Sequence, residues 1–160
     1  MKLDFANAFN TIRRDTILER REKNNPELYK FVLATHFCEA KLTFGPYIIL
    51  SREGSQPGNP LSGLELCDTV HPILAEYQSK LTLGYMDDFK LGGRIEAVAS
   101  DVQRIIDAEK KIGLRLNATK CEIIAKNLVV IKNYQMFKNF KKVTREDLTI
   151  LGSPILKGPQ

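Results

Sequence analysis

Long apolar runs are missing from this sequence. Nothing approaches the roughly 18 consecutive residues of a membrane helix, and the longest stretches resemble Leu128-Val129-Val130-Ile131. A cleavable leader is not expected, because Met1-Lys2-Leu3-Asp4-Phe5 reaches an acid at once and leaves no room for an apolar segment. Cysteine is scarce: Cys38, Cys67 and Cys121 are far apart and odd in number. That excludes a disulfide framework and a CxxC pair, and the expected setting is reducing and intracellular, nucleus or cytoplasm. Internal repeats and low-complexity tracts are also absent. What remains is 160 residues, 43% hydrophobic and 27% charged, a length and composition that suit one domain with its own core.

Acidic residues are missing from one long stretch. Net charge is +5, yet residues 1–100 carry 12 basic and 13 acidic side chains, whereas 101–160 carry 12 and 6. Within 126–145 stand Lys126, Lys132, Lys138, Lys141, Lys142 and Arg145 with no acid, interleaved with Tyr134, Phe137 and Phe140. Cations beside aromatics suit a polyanion whose bases can stack, which makes nucleic acid the natural partner. A solvated face over a few core aromatics explains the same composition.

The hydrophobic pattern predicts mixed structure. Residues 2–5 read as the end of a strand and 7–23 as a helix, broken by Asn24-Asn25-Pro26; Pro26 then opens a second helix over 26–38. Strands over 41–44 and 47–50 form a hairpin through Gly45-Pro46, and 52–60 is too rich in Gly and Pro to be regular. Leu64, Cys67, Val70, Leu74 and Tyr77 predict an apolar helix stripe over 61–79, kinked at Pro72. Strands over 81–86 and 89–91 flank Asp87-Asp88. A long amphipathic helix over 95–112 ends at Gly113. Extended segments follow at 114–116, 121–125, 148–151 and 155–156. The expected class is α+β, with helices packed on one face of an antiparallel sheet.

Adjacent carboxylates between two apolar strands repel each other, so Asp87-Asp88 is either a surface turn or a cation site. Oxygen-only ligands select a hard ion such as Mg²⁺. Asp4, at another strand end, could add a third carboxylate if its strand lies beside that hairpin. Strand-end acids gripping two Mg²⁺ ions about 4 Å apart are the arrangement for in-line nucleotidyl transfer.

Five segments in order resemble the palm motifs A to E of reverse transcriptase. They are Leu3-Asp4-Phe5-Ala6-Asn7-Ala8-Phe9-Asn10, Gln56-Pro57-Gly58-Asn59-Pro60-Leu61-Ser62, Tyr85-Met86-Asp87-Asp88, Gly113-Leu114-Arg115-Leu116-Asn117-Ala118-Thr119-Lys120-Cys121 and Leu151-Gly152. They place motif A near 2–10, B near 54–62, C at 85–88, D near 113–121 and E near 151–153, so residues 1–160 read as one palm domain. The likeness is strongest to LINE-type enzymes, from retrotransposons without long terminal repeats. It implies a ferredoxin-like palm and an RNA-directed DNA polymerase that adds dNTPs to a DNA primer on an RNA template. The fingers and thumb are expected to be missing here and supplied by a longer parent chain.

The resemblance also implies roles. Asp4 and Asp87, with Asp88 beside them and the Phe5 carbonyl, would hold two Mg²⁺ ions that activate a primer 3′-hydroxyl and stabilise leaving pyrophosphate. Phe9 would be the steric gate under the sugar, or else a core aromatic. Ala8 would offer its amide to the triphosphate, and Gln56 and Gly58 would border template and nucleotide. Lys120 would be a proton donor to pyrophosphate, or merely an exposed lysine. Leu151-Gly152 would lie near the primer grip, and Lys138, Lys141 and Lys142 would meet phosphates. Two positions depart from the family pattern and bear on nucleotide binding: Pro57 where Gln is usual, and Asn59 where Asp is usual. These departures and the missing fingers leave room for a second reading, an inactive or domesticated nucleic-acid-binding remnant. Another two-metal palm enzyme, such as a nucleotidyl cyclase, fits the acids but not the 56–62 loop. Three polar residues have plainer readings. His36 with Cys38 forms an isolated HxC pair, His71 reads as a packed histidine, and Cys121 as a buried thiol.

Overall fold

The computed structural model describes residues 1–37, 39–56, 58–150 and 152–154. Its centre is a five-stranded sheet in the order β4-β5-β1-β6-β7, formed by Leu81–Tyr85, Asp88–Gly92, Lys2–Leu3, Glu122–Ile123 and Lys141–Lys142. The first four strands run antiparallel to their neighbours, with Leu3 opposite Phe89 and Lys2 between Lys90 and Glu122. The last pair, β6–β7, is parallel. The expected all-antiparallel sheet therefore holds only up to β6. The chain reaches β7 through a short helix α6, Leu128–Ile131, and a single 3-10 turn rather than a hairpin, so it re-enters the sheet in the same direction.

Alternation along the strands gives the sheet two unlike faces. Leu3, Phe89, Leu91 and Ile123 are each at most 2% exposed and form the core side. That side packs on α4, Ser62–Leu74, and α5, Ile95–Ile112. Phe5 and Phe89 meet edge to face at 5.4 Å and line, with Val70, Ile73 and Ile105, a void of only about 10 Å³. The stripe of α5 is as read, with Val98, Val102, Ile105 and Ile112 buried, and Gly113 caps it at φ 79. A methyl group at Gly113 would lie 2.3 Å from the Thr11 carbonyl oxygen, so both its conformation and its neighbours require glycine.

That close approach explains why the helix expected over 7–23 is two. Helix α1 is Ala8–Thr11 and α2 is Arg14–Asn24, separated at Ile12, whose ψ is 136. The Arg13 amide donates to the Ile112 carbonyl instead of to its own helix. Ile12 is fully buried, and docking of the α5 terminus outweighs local helix propensity. Helix α3, Pro26–Phe37, and the hairpin β2–β3, Ala40–Phe44 with Tyr47–Ser51, match expectation; Cys38 lies outside the described residues.

The helix expected to reach residue 79 stops at Leu74. Asp101, fully buried on α5, accepts from the Gln78 and Ser79 amides at 2.9 and 2.8 Å and turns the chain there. The buried face of α4 also differs from the predicted stripe. Leu64 and Cys67 are exposed, whereas Ser62, Glu65, Leu66, Thr69 and Val70 are buried. His71, expected to be packed, is exposed. The final hairpin is β8, Thr149–Ile150, with β9, Ser153–Pro154; the strand expected over 155–156 lies outside the described residues, as does Leu151.

Candidate active site

One step past the pair Leu3–Phe89, on the face away from the helices, come Asp4 on the chain leaving β1 and Asp88 at the head of β5. Asp87 is exposed in the two-residue turn joining β4 to β5, between the paired residues Tyr85 and Asp88. Tight hairpins need positive φ at their first central position, and Met86 adopts φ 54 there, a conformation costing a non-glycine residue of order 1 kcal/mol. Asp4 and Asp88 thus share one end of the open sheet face, and Asp87 stands in the turn at that end. Among the described residues, however, no group of three His, Cys, Asp or Glu side chains closes around a single point.

Each acid is held differently. The Asp4 backbone is fixed: its amide donates to Cys121 Sγ at 3.4 Å and its carbonyl accepts from the Asn117 amide at 2.8 Å. Its side-chain Oδ1 is buried with no hydrogen-bond partner. A buried carboxylate oxygen left so is costly, and a hard cation is the kind of group that satisfies it. Both oxygens of Asp88, by contrast, accept from Lys90 Nζ at 2.7 Å. Asp4 therefore has an oxygen free for a hard cation, Asp87 is exposed in the adjoining turn, and Asp88 already has a cation. Cys121 is fully buried, and burial pushes its thiol up to about 11, in keeping with a structural thiol.

Phe5 is 6% exposed and bridges to Leu116. The bonds flanking that bridge come from the Asp4 carbonyl and the Ala6 amide, so the Phe5 carbonyl lies on the other side of its strand, toward β5. Ala8 is buried as the first residue of α1. Phe9 is half-buried against the core. Lys120 is exposed in the turn after Asn117, and that turn is tied to Asp4 through the Asn117 amide.

The loop expected beside the nucleotide is pinned to α1. The Ser55 amide donates to the Phe9 carbonyl at 2.7 Å and the Gly54 amide to the Ile12 carbonyl at 2.9 Å. A methyl group at Gly54 would lie 2.5 Å from the Asn10 backbone. Gly58 differs: its φ of 92 demands glycine, but nothing stands within 4 Å of where a methyl group would project, so conformation rather than close approach explains it. Gln56 is exposed, and its carbonyl accepts from Ser62 Oγ at 2.7 Å. Asn59 accepts from the Leu61 amide through Oδ1 at 3.0 Å and so helps to start α4. Pro57 lies outside the described residues.

Sequence reasoning missed what braces this loop. Ser55 Oγ donates to Glu65 Oε2 at 2.5 Å, and His36 Nε2 lies 3.1 Å from Glu65 Oε1, with all three side chains buried. Burial raises the Glu65 carboxyl, but hydrogen bonds from His36 and Ser55 and the charges of His36 and Arg21 outweigh it and hold the group below its ordinary value. Arg14 adds a clamp, donating to the Gly54 carbonyl at 3.0 Å and to the Ser51 carbonyl at 2.9 Å. The unusual signal was Glu65 itself, an acid on the face that Leu66 and Val70 bury.

Lys138, Lys141 and Lys142 are exposed, with β7 at the sheet edge opposite β4. The interleaved aromatics are not exposed platforms. Phe137 and Phe140 are 0% and 4% exposed, and Tyr134 is half-buried beside Phe137 with ring centroids 5.7 Å apart. Base stacking on the two phenylalanines is excluded because both belong to the core, and Lys141 lies 3.9 Å from Glu122. Gly152 is exposed at φ 82 in the separate β8–β9 hairpin.

With that geometry in place, comparison with known proteins gives one family. The family model for reverse transcriptase (RNA-dependent DNA polymerase) matches residues 1–155. The chain belongs to the reverse transcriptase family and, by that membership, is an RNA-directed DNA polymerase domain. No curated protein matches it.

Proposed function

We propose that this chain is the palm of a LINE-type retrotransposon reverse transcriptase, which transfers deoxynucleotides to a primer 3′ end by two-metal chemistry. The observation that supports the reading is the buried, unpartnered Oδ1 of Asp4 at the sheet end where Asp88 heads β5 and the adjoining turn carries Asp87. The order β1, helices, β4, β5, α5, β6, with β5 and β1 central, supports a ferredoxin-like palm. Asp4 and Asp87, with the Phe5 carbonyl, would hold Mg²⁺, which when bound supplies Lewis-acid stabilisation of the reacting oxygens.

The protein's own residues do the positioning. The Asp4 backbone is locked by Cys121 and Asn117, so its carboxylate is presented without rearrangement. Phe9 follows on α1, its carbonyl bonded to the loop that bears Gln56 and Gly58, so sugar and base contacts are set by one rigid unit. Lys120, on the turn fastened to Asp4, would give a proton to pyrophosphate. Exposed Lys138, Lys141 and Lys142 would hold template or primer phosphates. The test is templated incorporation: with a primed RNA, each added dNTP should follow the template base. Binding of primed RNA without extension by a folded chain would favour a nucleic-acid-binding remnant instead.

A further inference from the structure

Lys90 is the unusual residue of the open face. It is 6% exposed, two residues after Asp88 on the same side of β5, and its ammonium lies 2.7 Å from both carboxylate oxygens of Asp88. Its cross-strand partner on β1 is another cation, Lys2, and its partner on β4 is Leu83. A lysine opposite a lysine is unfavourable. Glu122 faces Lys2 across the sheet on its other side but pairs with Lys141 at 3.9 Å; the counter-charge of Lys90 is Asp88.

We propose that Lys90 is a built-in counter-ion of the acidic cluster: it occupies Asp88, leaves the divalent cation to Asp4 and Asp87, and makes that cation bind more weakly than three unopposed carboxylates would. The proposal rests on the two-metal reading above. Asp88 is 23% exposed at its side chain and Lys90 only 8%, so the pair is a fixture of the sheet rather than a mobile surface contact. Its consequence is electrostatic. A monovalent charge roughly 6 Å from a divalent one changes affinity about tenfold even at the dielectric constant of water. Lys90 is a positioning residue in this scheme, acting on the metal only through Asp88 and its own field.

The experiment is a Mn²⁺ titration of the 160-residue chain, with free Mn²⁺ read by electron paramagnetic resonance and folding checked by circular dichroism. Lys90→Met should tighten Mn²⁺ binding about tenfold, and Lys90→Gln, which keeps a polar group at the site, should shift it in the same direction if the methionine variant does not fold. Asp88→Asn alone should weaken binding, because Lys90 is then unopposed. The double variant Lys90→Met with Asp88→Asn should return to near the wild-type affinity, since a neutral pair is replaced by a neutral pair. Unchanged or weaker binding in folded Lys90 variants would overturn the counter-ion role. If Asp4→Asn and Asp87→Asn leave Mn²⁺ binding untouched, the metal site itself is misassigned, and the role of Lys90 falls with it.

Discussion

Removing the brace beneath the 54–59 loop should cost a predictable amount of stability. Glu65 is 1% exposed, and its two oxygens face Ser55 Oγ and His36 Nε2 at 2.5 and 3.1 Å. Glu65→Gln removes the charge that both neighbours are arranged around, a loss of about 3 kcal/mol for a buried paired group. Ser55→Ala leaves one carboxylate oxygen without its donor and should cost about 1.5–3 kcal/mol. Because the two side chains touch, the double variant should be less unstable than the sum, by a coupling of about 2 kcal/mol. Urea denaturation reads this directly: with a slope of about 1.5–2 kcal/mol/M, 3 kcal/mol lowers the midpoint by about 1.5–2 M. The pH dependence has a definite sign. The folded-state pKa of Glu65 lies below its ordinary value near 4.5, so this stabilisation is present above that value and is lost as pH falls below it. In Glu65→Gln that acid-side loss should shrink. Additive single losses, with a coupling under about 0.5 kcal/mol, would refute the shared network.

Phe9→Ala should admit ribonucleotides far better relative to dNTPs, measured as a ratio of kcat/KM on one template and primer; because Phe9 is only half-buried, the melt should record about 2 kcal/mol rather than the roughly 3–5 of a full core aromatic. An unaltered ratio in a folded, active variant would remove Phe9 from the sugar site. Charge removal at Lys138, Lys141 and Lys142 together should reduce the log–log salt slope of nucleic-acid binding by about 0.7–0.9 for each phosphate no longer neutralised, and an unchanged slope would make the stretch a solvated face. Gly54→Ala should destabilise by at least about 2 kcal/mol, since it combines φ 77 with a 2.5 Å approach to backbone, whereas Gly58→Ala bears only the conformational strain of about 1 kcal/mol. Equal costs at the two glycines would contradict the placement of the loop on α1.

The elements easiest to read were those whose pattern and packing agree. Helix α5 shows its stripe and its glycine cap in the sequence because both serve one interface, and the Gly45-Pro46 hairpin is local chemistry. The acids at the ends of apolar strands stood out only through the ordered motifs around them, since Asp in a tight turn is ordinary by itself. What stayed hidden depended on partners distant in sequence. The break at Ile12 exists because Ile112 and Gly113 dock there. Helix α4 ends at Leu74 because Asp101 claims the following amides. Its buried face was misread because periodicity rewards Leu64 and Cys67, whereas Glu65 goes inward to meet His36 and Ser55. The pairing of Asp88 with Lys90 was in plain view at a spacing of two on a strand, but became informative only once Lys90 proved to be buried.

The most direct test is primer extension on an RNA template with dNTPs and Mg²⁺, comparing the wild-type chain with Asp4→Asn and Asp87→Asn, each alone and in the longest protein in which the chain is encoded. Templated extension in the wild type, abolished by either substitution while the circular dichroism and melt remain those of a folded protein, is the expected result. Extension that persists at near wild-type rate in either folded variant would contradict the assignment of that carboxylate and the polymerase site built on it.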